Sequence, residues 1–162
     1  MGILVQMNEI KTLDKISILK LAFSGLTENE LEEMAALTEL RTYPALHVLC
    51  REGAYEETFY IIASGSAVIT KTIRDMEGER TLRQVGVGDL VGEMALIQNA
   101  PRSATVRSIS ECAVLEMDKP HFETMLRRSP RMAMDIIRTT LDRMRENDQT
   151  MIADLQKSNR VL

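Results

Sequence analysis

Two charged residues nine positions apart, Glu93 and Arg102, carry the most specific chemistry in this chain of 162 residues. They stand in Gly92-Glu93-Met94-Ala95-Leu96 and Pro101-Arg102-Ser103-Ala104-Thr105-Val106, which together suit an anionic sugar phosphate. Gly92 permits close backbone approach. Good helix formers from Glu93 to Ile97 predict one short helix, and the N–H groups of Met94 and Ala95 in its first turn are directed toward an anion. Arg102 adds a planar, permanently charged fork matched to phosphate oxygens, and Ser103 adds one more donor. Glu93 is the odd member, because a phosphate repels a carboxylate. Its place is as acceptor for a ribose hydroxyl and as a partner holding Arg102.

The elements that must position these residues follow from hydrophobic spacing. Ile10, Leu13, Ile16 and Leu19 recur at helical intervals and predict a leading helix from Asn8 to Leu21. Thr27 and Glu30 have capping-box spacing and open a second helix that ends near Leu40. Between Arg41 and Met117 the pattern changes to short runs separated by turn residues: Leu46 to Cys50, Thr58 to Ala63, Ala67 to Ile73, Thr81 to Val85, Ser103 to Ile109 and Ala113 to Met117. With Ser64-Gly65-Ser66 as a tight connection and Asp75 to Gly78 as a hairpin tip, a meander of hairpins is expected. Asp118 caps a helix through Phe122 and Leu126, and Ser129-Pro130 supplies an N-cap and a first-turn proline for a final helix. Along it Ile137, Leu141, Met144, Met151, Leu155 and Leu162 form a heptad seam if Asp148 and Ser158 count as polar members. Before Met144, packing of the helix on its own domain is an alternative reading of the seam; beyond Glu146 a partner helix is the expected cover.

Composition removes several function classes. A net charge of −4 and a pI of 5.3 provide no basic surface for nucleic acid. Cys50 and Cys112 stand far apart, in no disulfide or zinc pattern, which fits a reducing cytoplasm. No run of eighteen apolar residues predicts a membrane span. Gly86 to Gly92 has one residue too many for a dinucleotide fingerprint and reads as a turn. His47 and His121 have no ligand partners at metal spacing, and no nucleophile–base pair is visible, so binding is expected rather than catalysis.

On these residues the chain resembles the cyclic nucleotide-binding domain family, which includes catabolite activator protein, protein kinase A regulatory subunits and cyclic-nucleotide-gated channels. The resemblance covers about residues 23–148, through Phe59-Tyr60-Ile61-Ile62, Gly65 and the two trailing helices. It implies a mainly β fold with flanking helices: an antiparallel, jelly-roll-like β-roll with N-terminal helices, a short internal phosphate-binding helix and two C-terminal helices. The implied divisions are a leading helical segment over 1–22, the cyclic nucleotide-binding β-roll over 23–128, and over 129–162 a lid helix continuing into a coiled-coil dimerisation or output helix.

By resemblance Glu93 takes the ribose 2′-hydroxyl and Arg102 the cyclic phosphate, with Gly92, Met94, Ala95 and Ser103 as further contacts. Asn147 and Asp148 fall near the positions that meet the purine edge. The implied ligand is cAMP or cGMP, with cAMP slightly favoured; the implied partner is a second copy joined through the C-terminal helix, and no cofactor is implied. The heptad running to Leu162 suggests an output domain beyond it. Two departures concern packing: Val91 replaces the phenylalanine usual before Gly-Glu, and the glycine common near Ala45 and Leu46 is absent. The alternative is a ligand-free dimerisation module that uses the roll as a scaffold.

Overall fold

The computed structural model describes residues 14–73 and 78–161. Two helices come first: α1 over residues 14–22, then α2 over Glu28–Leu37. The expected capping box is present, with Glu30 N–H donating to Thr27 Oγ1 at 3.2 Å and Thr27 N–H to Glu30 Oε1 at 3.1 Å. α2 stops at Leu37, short of Leu40. Its last turn carries no basic residue of its own, and Lys15 from α1 supplies the charge, donating to Ala35 O and Thr38 O at 3.2 and 2.7 Å.

Among the described residues eight strands follow, interrupted by a single short helix. They are β1 (Glu39–Tyr43), β2 (Val48–Cys50), β3 (Thr58–Ser64), β4 (Ala67–Thr72), β5 (Glu79–Val85) and β6 (Leu90–Val91), then α3 (Glu93–Gln98), β7 (Thr105–Ser108) and β8 (Cys112–Asp118). They form two antiparallel sheets with strand orders β1-β8-β3-β6 and β2-β7-β4-β5. This is the expected roll, but not the expected meander: β3 and β4 are consecutive yet lie in different sheets, and among the described residues β4–β5 is the only pair of consecutive strands joined edge to edge. The Ser64-Gly65-Ser66 connection therefore carries the chain between sheets. Gly65 has φ +77, and a Cβ there would lie 2.3 Å from Glu111 O, so both conformation and space demand glycine.

β1 escapes a pattern search because it has no buried residue to alternate with exposed ones. It is an edge strand held by β8, with Arg41 opposite Val114. At Leu46, near the missing turn glycine, the chain adopts φ 65. The side chain is exposed and the Leu46 N–H donates to Ser108 O at 2.9 Å, so the turn keeps its shape despite a strained residue.

The alternation of β3 divides the interior in two. Phe59 and Ile61 join Leu115 and Met117 of β8 in a core covered by Leu19, Phe23, Leu31, Met34, Phe122 and Met132 from the helical layer. Tyr60 and Ile62 face the other way, into a core with Leu49, Val85, Val91, Val106 and Val114 between the sheets. α4 (Lys119–Arg128) and α5 (Pro130–Val161) complete the fold. Asp118 caps α4 by accepting from His121 N–H at 2.9 Å. Ser129 Oγ accepts from Met132 N–H at 3.2 Å and donates to Glu30, so one hydroxyl starts α5 and ties it to α2. Among the described residues no helix is long and apolar enough to cross a membrane.

Candidate functional site

A tight turn delivers the chain to the site. Gly86 N–H donates to Asp89 Oδ2 at 2.8 Å, while Ile62 N–H donates to Asp89 O and Gly88 N–H to Ile62 O, pinning the turn to β3. β6 then pairs with β3, Val91 opposite Tyr60, and fixes the position of Gly92. Gly92 is left-handed, with φ 87 and ψ 1, and forms the N-cap of α3. That conformation turns the strand directly into the helix. α3 ends at Asn99, also left-handed, whose N–H returns to Ala95 O and whose side chain accepts from Lys119.

Arg102 is pinned at both main-chain and side-chain level. Its N–H donates to Ala54 O at 2.9 Å and its carbonyl accepts from Gly53 N–H at 2.8 Å, so the loop after β2 clamps it. The guanidinium donates through Nη1 to Gly92 O at 2.8 Å and through Nη2 to Thr58 O. Nε lies 3.4 Å from Glu56 Oε1, an oxygen that also accepts from Arg51 N–H at 2.9 Å. Three of the five guanidinium N–H groups are thus committed to holding the fork in one plane. The ion pair the structure gives Arg102 runs to Glu56, a residue not expected from the sequence.

Glu93 and Arg102 are 4% and 3% exposed, two charged residues buried where burial of an isolated charge is costly. They line the same cleft as Gly92, Met94, Ala95 and Ser103, so the structure brings all six together. The cleft contains about 840 Å³ of empty space, counting open solvent at its mouth. Cys50, Ile69 and Val106 of the roll, Leu82 and Arg83 of β5 and Thr140 and Met144 of α5 are among its other lining residues. Burial pushes the Cys50 thiol up to about 12, against the opposing charge of Arg102, so that side chain is neutral and chemically quiet.

Arg83 and Thr140 went unmarked in the sequence, and Met144 was marked only as a member of the heptad seam. Arg83 sits in an ordinary amphipathic strand, and Thr140 falls off the heptad seam. Asn147 and Asp148 belong to the backbone of α5, but their side chains lie outside the described residues. The histidines are occupied elsewhere: His47 stacks on Tyr43 at 4.2 Å, and His121 Nδ1 lies 2.8 Å from Asp118 Oδ1.

The arrangement offers a buried guanidinium, first-turn N–H groups and a carboxylate on one cleft that is also lined by apolar residues of the roll, β5 and α5. Comparisons with known proteins point the same way. The family described as "Cyclic nucleotide-binding domain" matches residues 40–129. The "Cyclic AMP receptor protein" of Thermus thermophilus is 29% identical over 126 residues, covering 78% of this chain and 58% of its own length. A structure of the regulatory domain of Toxoplasma gondii PKA with cAMP superposes at a TM-score of 0.67 with 34% identity, covering 72% of this chain and 45% of that one. A cyclic nucleotide-binding domain from Methylobacillus flagellatus shares the fold at a TM-score of 0.79 and 19% identity, covering 88% of this chain and 83% of the other. The chain spans less than two thirds of the Thermus relative.

Proposed function

The chain belongs to the cyclic nucleotide-binding domain family, and from that premise we propose that it is a regulatory sensor holding a cyclic mononucleotide between α3, the roll and α5. The carrying observation is the pair Glu93 and Arg102, both retained and both buried on one cleft. In this reading the two uncommitted N–H groups of Arg102, the N–H groups of Met94 and Ala95, and the Ser103 hydroxyl receive the cyclic phosphate. Glu93 accepts from the ribose hydroxyl.

The β5 side of the cleft bears on the choice of purine. Arg83 lines the cleft from β5, with its Nη2 3.8 Å from Asp89 Oδ1. A guanidinium only donates, so it suits the O6 and N7 acceptors of guanine and gains nothing from the N6 amino group of adenine. That favours cGMP over cAMP, the reverse of the slight lean implied by the resemblance. Calorimetric titration of the chain with both nucleotides tests ligand and preference together. Arg83→Ala is expected to reduce the cGMP-to-cAMP affinity ratio about five- to 150-fold, the worth of a bidentate contact of about 1–3 kcal/mol. A ratio untouched by the substitution removes Arg83 from the purine choice.

Output in this reading passes through α5 to a second copy or an attached domain. Met134, Ile137, Leu141 and Met144 are 47, 44, 51 and 44% exposed and recur at spacings of three and four, an apolar seam that the chain's own domain does not cover. Ile137→Glu combined with Leu141→Glu should convert a dimer to a monomer in sedimentation equilibrium. An unchanged mass would exclude this seam.

One observation favours the ligand-free scaffold instead. Gly92 O, Thr58 O and Glu56 already compensate the burial of Arg102, so its fork is not stranded without an anion. That reading expects no heat and no thermal shift with any cyclic nucleotide.

A further inference from the structure

α5 directs residues four apart, Met132, Ile136 and Thr140, toward the body of the domain. The first two are core residues, 2% and 1% exposed. At the third step the stripe passes from the core to the cleft, and the side chain there carries a hydroxyl. Thr140 Oγ1 is buried and has no hydrogen-bond partner, alone in this among the described side-chain nitrogen and oxygen atoms. Its neighbour shows the ordinary fate of a helical threonine, since Thr139 Oγ1 donates to Asp135 O at 2.9 Å one turn back. Thr140 forgoes the equivalent bond. A buried hydroxyl without a partner is destabilising, and valine would fill the same volume without that cost.

We propose that Thr140 is the point at which α5 grips the ligand: its hydroxyl pairs with a polar group of the bound nucleotide and so couples occupancy of the cleft to the seating of the helix. This rests on the cyclic-nucleotide reading of the cleft. It places the grip two turns before Asn147 and Asp148, at the step where the core stripe first meets the cleft wall. Because a hydroxyl both donates and accepts, Thr140 serves either purine and adds affinity, leaving the preference to Arg83. Met144, one turn on, lines the same cleft and also belongs to the exposed seam, so a helix seated by Thr140 presents that seam in a defined orientation.

The test compares wild type, Thr140→Val, Thr140→Ser and Arg102→Lys by titration with cAMP and cGMP. Amide hydrogen exchange over residues 136–144 is followed with and without saturating nucleotide. Thr140→Val should weaken both nucleotides about two- to tenfold, the worth of one hydrogen bond. It should also lose the ligand-induced slowing of exchange while melting, without ligand, no lower than wild type. Thr140→Ser should keep both affinity and protection. Undiminished binding and protection in Thr140→Val, with binding weakened in Arg102→Lys, would overturn the role of Thr140 and leave the cleft assignment intact. Failure of wild type to bind either nucleotide would overturn the cleft assignment itself.

Discussion

Replacing Arg102 with alanine should lower affinity for cyclic nucleotide by roughly thirtyfold to several thousandfold, about 2–5 kcal/mol, the cost of removing one partner from a buried, hydrogen-bonded charge pair. The size follows from where the guanidinium sits. Buried and clamped by Ala54 and Gly53 through its main chain, it meets a phosphate with no freedom left to lose and little water to compete. The same substitution has a second effect. Gly92 O and Thr58 O lose their donor and Glu56 loses its cation, so the domain without ligand should also be less stable, by about 1–3 kcal/mol for each acceptor left dry.

Arg102→Lys separates the two effects. Lysine keeps the charge but cannot span two carbonyls and a phosphate with one ammonium, so it should retain more stability than alanine while still binding weakly. Calorimetry paired with urea denaturation measures both quantities. Titrations that match wild type would sink the phosphate role of Arg102. A large loss of stability with no wild-type binding would favour the scaffold reading instead.

What the sequence made legible was local in its causes. Thr27 and Glu30 cap α2, Asp118 caps α4, and Ser129-Pro130 opens α5, because each depends on residues within one helical turn. Gly92 and the α3 residues were legible for the same reason, and the resemblance added the roles expected of Glu93 and Arg102. The strand order was not legible. The runs read alike whether consecutive strands pair as hairpins or alternate between sheets, and Gly65 decides this through a contact with Glu111 that lies far along the chain. Glu56 was missed because it meets Arg102 across a separation of 46 residues, with no motif around it. Thr140 was not legible because the apolar seam of Ile137, Leu141 and Met144 dominates the pattern of α5. The domain-facing stripe ran beside it on the same helix, and only packing tells the two apart.

Gly92→Ala should damage the site almost as severely as loss of Arg102, although alanine touches no ligand. Two costs combine. At φ +87 an L-residue is strained by about 1–2 kcal/mol. The new Cβ would lie 2.4 Å from Arg102 Nη1, 3.1 Å from Cζ and 3.2 Å from Thr58 O. The fork must give way, and in moving it surrenders the bonds to Gly92 O and Thr58 O. The expected result is a loss of about 2–3 kcal/mol in stability and at least a tenfold loss in affinity, since the displaced guanidinium no longer faces the phosphate. A double-mutant cycle identifies the cause. With Arg102 already replaced by alanine the clash has no target, so Gly92→Ala should then cost only its backbone strain. The two substitutions would be non-additive in stability by about 1 kcal/mol or more. Strict additivity would mean that Gly92 acts through its conformation alone and that the arginine fork is set by Glu56 and the clamp on its main chain.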